Sequence, residues 1–281
     1  MLSYRHAFHA GNPADVLKHF VLVELLQYLN QKDKPYWYID THAGAGAYAL
    51  DSGYAAKNAE YAQGIGRLWN APDLPAALGT YVDVVRAFND GDALRAYPGS
   101  PMIARALLRE QDRMKLFELH STDYRLLGEN FAGAGRSVRL EKLDGFSNLR
   151  SLLPPQPRRA LVLIDPPYEM REDYRYTFET LRDAAARFPT GTYCVWYPQL
   201  QRMESRDLPA KFKRMKVDSW LHVSLTTRTP SPDGFGMLGS GLFIINPPWT
   251  LPATLKSVMP WLVERLGSDA GAKYELEFHI P

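Results

Sequence analysis

The chain carries a single cysteine, Cys194, among its 281 residues. That excludes an intrachain disulfide framework and fits a reducing, cytoplasmic setting. Long apolar runs are missing too: the longest, near 160–164 and 242–245, fall far short of a bilayer span. The opening Met1-Leu2-Ser3-Tyr4-Arg5-His6 lacks the apolar core of a secretory signal. Net charge is almost absent, with 33 Lys and Arg against 31 Asp and Glu for +2, so composition does not announce a polyanionic partner. The 7 histidines show no metal-ligand spacing, and no metal is expected. Internal repeats and low-complexity segments are also lacking. At 46% hydrophobic and 23% charged, the chain reads as one globular α/β domain over 1–281, with room for an insertion.

What is present is an ordered alternation of elements. Asn12, Pro13 and Asp15 mark a helix start, as cap, first-turn proline and first-turn charge. Val16, Leu17, Phe20, Val21, Leu25 and Leu29 then recur at helical spacing until a break at 31–35. A strand is expected at 36–39, running into Asp40-Thr41-His42-Ala43-Gly44-Ala45-Gly46. From about 50 to 97 the strand pattern lapses, and 59–69 and 74–89 read as a small helical insertion. Pro98-Gly99-Ser100-Pro101 opens a further helix with Ser100 as its cap. Strands are expected at 114–119, 138–143, 160–164 and 193–197, helices at 123–131 and 174–188, and a closing strand pair at 220–226 and 241–245. The sum is a doubly wound, Rossmann-like sheet of seven strands whose last pair is antiparallel. Arg202, Arg206, Lys211, Lys213, Arg214 and Lys216 outnumber Glu204 and Asp207. That segment reads either as a solvated face or as one that contacts phosphates.

Chemistry concentrates at the strand ends. Leu161-Val162-Leu163-Ile164 is apolar throughout, as in a strand buried on both faces, and runs straight into Asp165-Pro166-Pro167-Tyr168. Ligands of open α/β sheets sit beyond such carboxyl ends. Consecutive prolines remove two backbone donors, so their carbonyls face a substrate without competing N–H groups. An acid, a free carbonyl and an aromatic ring suit an exocyclic amino group on a planar heterocycle. Upstream, Gly44 and Gly46 permit a close backbone approach, which fits a dinucleotide, another nucleoside cofactor or a plain tight turn. Glu118 ends the second strand, where a carboxylate can accept two ribose hydroxyls, and Asp144-Gly145 ends the third. Asn246-Pro247-Pro248-Trp249 also fits the loose proline motif. It follows a strand expected to run the opposite way, so it reads as a turn into the last helix.

The order of glycine turn, Glu, Asp and Asp-Pro-Pro-Tyr resembles the class I S-adenosylmethionine-dependent methyltransferases. A more specific likeness lies at the start. Tyr4 to Asn12 (Tyr-Arg-His-Ala-Phe-His-Ala-Gly-Asn) and Ala14 to His19 (Ala-Asp-Val-Leu-Lys-His) resemble a bacterial family that methylates an adenine amino group (N6) in 23S ribosomal RNA. Further matching stretches are 40–46, 97–104, 118–120, 144–146, 164–170 and 241–249, so the resemblance spans nearly the whole chain, least clearly at 202–228. It implies a class I methyltransferase fold with a helical insertion after the first strand, S-adenosylmethionine as cofactor and 23S rRNA as partner. A soluble monomer is expected. By the resemblance His19, His42, Ser100, Glu118, Asp144, Gly145 and Asp165 contact cofactor, with Lys18 beside them, and Gly44 of the glycine turn is expected to approach the cofactor through its backbone. Asp165, Pro166 and Tyr168 form the catalytic motif, with the Tyr168 ring expected to bind substrate by stacking on the base, and Tyr4 and His6 belong to a substrate-binding N-terminal motif that closes over the substrate. Ser100, at a helix start, is placed to help hold the methionine carboxylate. Rival readings are a DNA adenine methyltransferase, although no helix-turn-helix is evident, a protein glutamine methyltransferase, a non-catalytic RNA-binding module and a nicotinamide dehydrogenase.

Overall fold

A computed structural model describes residues 6–51 and 59–281. The first long helix, α1 (Pro13–Asn30), begins as its sequence dictates: the Asn12 side chain accepts from the backbone N–H of Ala14 and Asp15, and Pro13 takes the first turn. Both of its faces are buried, Leu17, Phe20 and Val21 together with Leu22, Val23 and Leu26.

Eight strands form the main sheet, in the order β10-β8-β9-β7-β6-β1-β4-β5. They are β1 (Trp37–Asp40), β4 (Arg113–Phe117), β5 (Val138–Glu141), β6 (Ala160–Ile164), β7 (Thr192–Gln199), β8 (Trp220–Thr226), β9 (Gly239–Ile245) and β10 (Lys273–His279). Strands β5, β4, β1, β6 and β7 run parallel, and β9 enters antiparallel between β7 and β8. This is the doubly wound, Rossmann-like sheet expected, with its last expected pair antiparallel. All seven expected strands are present. An eighth, β10, was not foreseen and pairs antiparallel along β8 at the sheet edge. Every residue of β6 is buried, and so is Cys194 of β7, which pairs with Leu163 and Ile244.

The insertion stands on a short ribbon. β2 (Ala47–Ala49) and β3 (Ala96–Pro98) pair antiparallel, so the chain leaves and re-enters the fold at one point. Between them lie α2 (Ile65–Trp69) and α3 (Ala76–Arg86), whose Ile65, Leu68, Leu78, Tyr81, Val82 and Val85 join the same apolar core as α1. The remaining helices are α4 (Ser100–Leu107), α5 (Ser121–Asn130), α6 (Gly145–Asn148), α7 (Arg171–Arg187), α8 (Met203–Lys213) and α9 (Leu251–Leu266). Trp261 of α9 donates to Asp73, and Arg67 of α2 donates to the Arg265 carbonyl, fastening insertion to body.

One sequence expectation needs correction. Ser100 does not cap α4: Gly99 holds that position, and the Ser100 hydroxyl donates to Asp40 instead. Most of the basic segment forms α8, which buries Ser205, Leu208 and Phe212, while Arg202, Arg206, Lys211, Arg214 and Lys216 are exposed. Asn246 lies where the strand direction requires. Ile245 pairs with Tyr193 at the start of β7, and the Asn246 side chain donates to the carbonyls of Pro189 and Gly191, at the opposite end of the sheet from Asp165.

Candidate active site

A cavity of about 810 Å3 opens at the carboxyl ends of the parallel strands. His6 and α1 (Lys18, His19) reach it from one side. The strand ends supply the rest: His42 and Gly44 after β1, Glu118 after β4, Asp144 and Gly145 after β5, and Asp165, Pro166 and Tyr168 after β6, with Ser100 from α4. The fold thus brings together every expected site residue that is described. Tyr4 lies outside the described residues.

Asp165 ends a largely buried chain of charges that runs from His6 through Asp15 and Lys18. Lys18 Nζ donates to Asp165 Oδ2 at 2.6 Å and lies 2.9 Å from Asp15 Oδ1. Asp15 Oδ2 in turn accepts from the Gly11 backbone N–H and lies 2.9 Å from His6 Nε2. Burial alone would strip the Lys18 proton, but Asp15 and Asp165 outweigh it and hold Lys18 well above the usual lysine range. Burial likewise pushes Asp15 up, and the charges of His6 and Lys18 overcome it, leaving Asp15 well below the carboxylate range. An unpaired charge in such a place would be costly, so each member depends on its neighbours. The lysine also rests 5.4 Å from the centre of the Trp196 ring. Asp165 Oδ2 is therefore committed, while Oδ1 has no protein partner among the described residues.

Tyr168 needs a qualification of its expected role. Its ring is only 2% exposed, packed 4.7 Å from Tyr174 and 6.0 Å from Trp196, and its hydroxyl donates to the Trp196 carbonyl at 2.7 Å. At φ 52 it turns the chain sharply after the prolines. In this arrangement Tyr168 is a wall that pins the motif to β7, not an open stacking platform.

The other lobe is acidic and partly apolar. Gly44 and Gly46 both take positive φ, as the tight turn after β1 requires. Gly44 donates to Glu118 Oε2 at 2.8 Å and His120 to Oε1 at 2.6 Å through their backbone N–H groups. Each oxygen keeps a lone pair for a further donor. Burial raises Glu118 to about 7. Asp144 caps α6 by accepting from Phe146 N and Ser147 Oγ, and Gly145 is buried at the first position of that helix. Leu119 and Leu143 line the cavity yet are 51% and 44% exposed. Burial lowers His42 to about 4 and His19 to about 3, so both imidazoles are neutral. His19 shares a 2.7 Å hydrogen bond with Tyr97 through Nδ1, and its buried Nε2 has no protein partner.

Sequence reasoning missed three contributors. Asp15 was read only as a helix first-turn acid, although its i,i+3 spacing to Lys18 was visible. Asp40, fully buried, accepts from Tyr38 and Ser100, and burial raises it to about 6. Trp196 carried no sequence signal. Away from the cavity, His222, Glu275 and Glu277 lie close enough to share an ion. His222 is bonded to Tyr197, however, and Glu277 to Lys213, so the structure accounts for two of the three without one.

The family model described as ribosomal RNA large subunit methyltransferase D, RlmJ, matches residues 33–279. The chain belongs to this family. It is 48% identical over 266 residues to the ribosomal RNA large subunit methyltransferase J of Escherichia coli K12, covering 95% of this chain and 94% of that one. The Haemophilus influenzae protein of the same description is 43% identical over 282 residues, at full coverage of both. Among solved structures, a Legionella pneumophila protein superposes with a TM-score of 0.88 at 38% identity, covering 96% of this chain and 98% of that one.

Proposed function

We propose that the protein transfers the methyl group of S-adenosylmethionine to the N6 amino group of an adenine in 23S rRNA, with the base taken out of its stack. The single observation that carries this reading is the free Asp165 Oδ1 beside Pro166 at the end of β6, fixed by Lys18 and facing the same cavity as the cofactor-lobe acids. Family membership favours large-subunit rRNA over DNA as substrate, since the relatives are described as large-subunit rRNA methyltransferases.

The residues fit the cofactor. Glu118 has acceptor capacity for two ribose hydroxyls, Asp144 for an amino group, and exposed Leu119 and Leu143 would flank an adenine ring. The orphaned Nε2 of His19 and the Ser100 backbone N–H, which has no backbone acceptor among the described residues at the start of α4, are the donors that would take a carboxylate there. When bound, S-adenosylmethionine supplies an electrophilic methyl group. An adenine amino group is a poor nucleophile because its lone pair is delocalised into the ring. Asp165 Oδ1 and the Pro166 carbonyl would each accept one N–H, favouring a tetrahedral nitrogen and aiming its lone pair. The Asp165 carboxylate also stabilises positive charge developing on that nitrogen, an effect of about 10²–10³ in rate. Lys18 keeps Asp165 oriented by holding its other oxygen. His6, through Asp15, links the N-terminal segment to the same chain of charges. Unstacking the adenine costs a few kcal/mol in a duplex and less in a loop.

The test is transfer of labelled methyl to deproteinised 23S rRNA, assembled large subunits and duplex DNA, with Asp165→Ala alongside. Label on adenine N6 in rRNA is expected, falling about 10²–10³-fold in the variant at a temperature where circular dichroism shows it folded. Full activity in Asp165→Ala would sink the mechanism, and label confined to DNA would sink the substrate.

A further inference from the structure

The cavity has a third lobe that neither the cofactor-lobe residues nor the Asp-Pro-Pro-Tyr turn uses. It extends past Trp196 and Pro198 of β7 toward the β8–β9 connection, lined by Leu225, Thr227, Arg228, Gly236, Met237 and Ser240. Among the described residues, Lys18 and Arg228 are the only Lys or Arg side chains on the cavity wall. Lys18 is consumed by Asp15 and Asp165. Arg228 forms no ion pair among the described residues.

From this we infer that Arg228 is a substrate-binding residue, whose guanidinium takes a backbone phosphate at or next to the target nucleotide of the RNA. The inference rests on the rRNA reading above and adds the residue that seats the strand.

The side chain is built into its place. Arg228 Nε donates to the Met237 carbonyl across the loop at 3.0 Å, which leaves the two terminal nitrogens for another acceptor. Its guanidinium occupies the space that a side chain at 236 would fill: a Cβ on Gly236 would lie 2.3 Å from an Arg228 terminal nitrogen. Gly236 itself has φ +88, a conformation glycine tolerates. The nearby acids are committed elsewhere. Asp233 accepts from Ser231 and the Phe235 N–H, and Asp269 accepts from Thr229 and Gly271, although both feel the charge of Arg228. A planar fork with one edge fixed and the other free matches a phosphate diester.

The position suits a nucleotide held at Asp165. In the sheet order β6, β7, β9, β8, the strand before Arg228 lies three places from the strand before Asp165. Three strand spacings are roughly 14–15 Å, so Arg228 lines the same cavity at its far side from Asp165. A base seated at Asp165 would thus direct its sugar and phosphate into the third lobe, away from the acids at 118 and 144.

The experiment compares wild type, Arg228→Gln and Arg228→Lys by methyl transfer to deproteinised 23S rRNA and by equilibrium binding of that RNA over a salt series. Arg228→Gln should raise KM for RNA roughly tenfold, leave kcat and S-adenosylmethionine affinity within about twofold, and reduce the salt slope of binding by about one. Arg228→Lys should keep the slope and recover only part of the affinity, because a point charge replaces the fork. An unchanged KM and salt slope in Arg228→Gln overturns the assignment, as does an equal loss of S-adenosylmethionine binding. If wild type binds the RNA but transfers no methyl, the proposed function fails while the slope still decides Arg228. If wild type does not bind RNA at any salt, both fail.

Discussion

Glu118 shows how one buried side chain can give the site a measurable signature. Burial lifts its carboxyl to about 7, against the backbone donors His120 and Gly44, which pull the other way. Accepting ribose hydroxyls favours the ionised form. Cofactor affinity should therefore fall roughly tenfold between pH 8 and pH 6 as Glu118 takes up its proton, and Glu118→Gln should bind weakly with no such slope. Calorimetry across that range checks this; a flat profile in wild type would remove Glu118 from the cofactor site. For folding, the raised pKa means Glu118 contributes stability fully below its ordinary value near 4.5, lost as pH rises through about 7. His19 and His42 act oppositely: their lowered values give stability present above pH 6.5 and lost as pH falls toward 4. The strand-end acids were legible in the sequence because each follows a strand pattern, wholly apolar before Asp165 and alternating before Glu118 and Asp144. Asp15 was not, since its local position already explained it and its links to His6 and Asp165 exist only after folding. Ser100 was misread for a related reason: beside Gly99 and before Pro101 it satisfies every local rule for a cap, but buried Asp40 offers its hydroxyl a stronger partner.

At the scale of elements, strands buried on both faces were read most faithfully. The bounds of β6 and β8 coincide with those expected, because the apolar run of β6 ends abruptly at Asp165 and the apolar–polar alternation of β8 ends at Thr226. β10 escaped notice because Lys273-Tyr-Glu-Leu-Glu-Phe-His279 is mostly exposed, an edge strand with no apolar run to betray it. The two three-residue strands β2 and β3 carry too little pattern to be seen at all. β10 nonetheless covers the edge of β8 from Trp220 to Thr226 and adds the Lys213–Glu277 ion pair. A chain truncated after Ala272 should lose several kcal/mol, at about 0.5–1.5 kcal/mol per ladder hydrogen bond. It should also associate through the bared edge of β8. Denaturant titration and light scattering test this, and a truncated form as stable and monodisperse as the full chain would show that β10 is dispensable.

Taken whole, the molecule joins a sheet edge, a catalytic centre and an inserted helical unit through continuous packing. α1 is the common member: one face backs the sheet, another receives the insertion, and its first turns supply Asp15 and Lys18. Charge balance near zero conceals this organisation, since the functional charges are few and placed by the fold. The buried thiol of β7 then acquires an experimental meaning. Cys194 sits in the middle of the sheet, between the partners Leu163 and Ile244, with no exposed surface and no second thiol in the chain to confuse its signal. Alkylation under native conditions should proceed only when β7 is laid open, so its rate counts excursions of the whole sheet out of the native state. With S-adenosylmethionine at 100 times its dissociation constant, that rate should drop about 100-fold. An unaltered rate would mean that the cofactor does not bind the native fold or that β7 opens without it. The protein thus carries a built-in, single-site clock for its own opening, readable by mass spectrometry without a reporter being engineered.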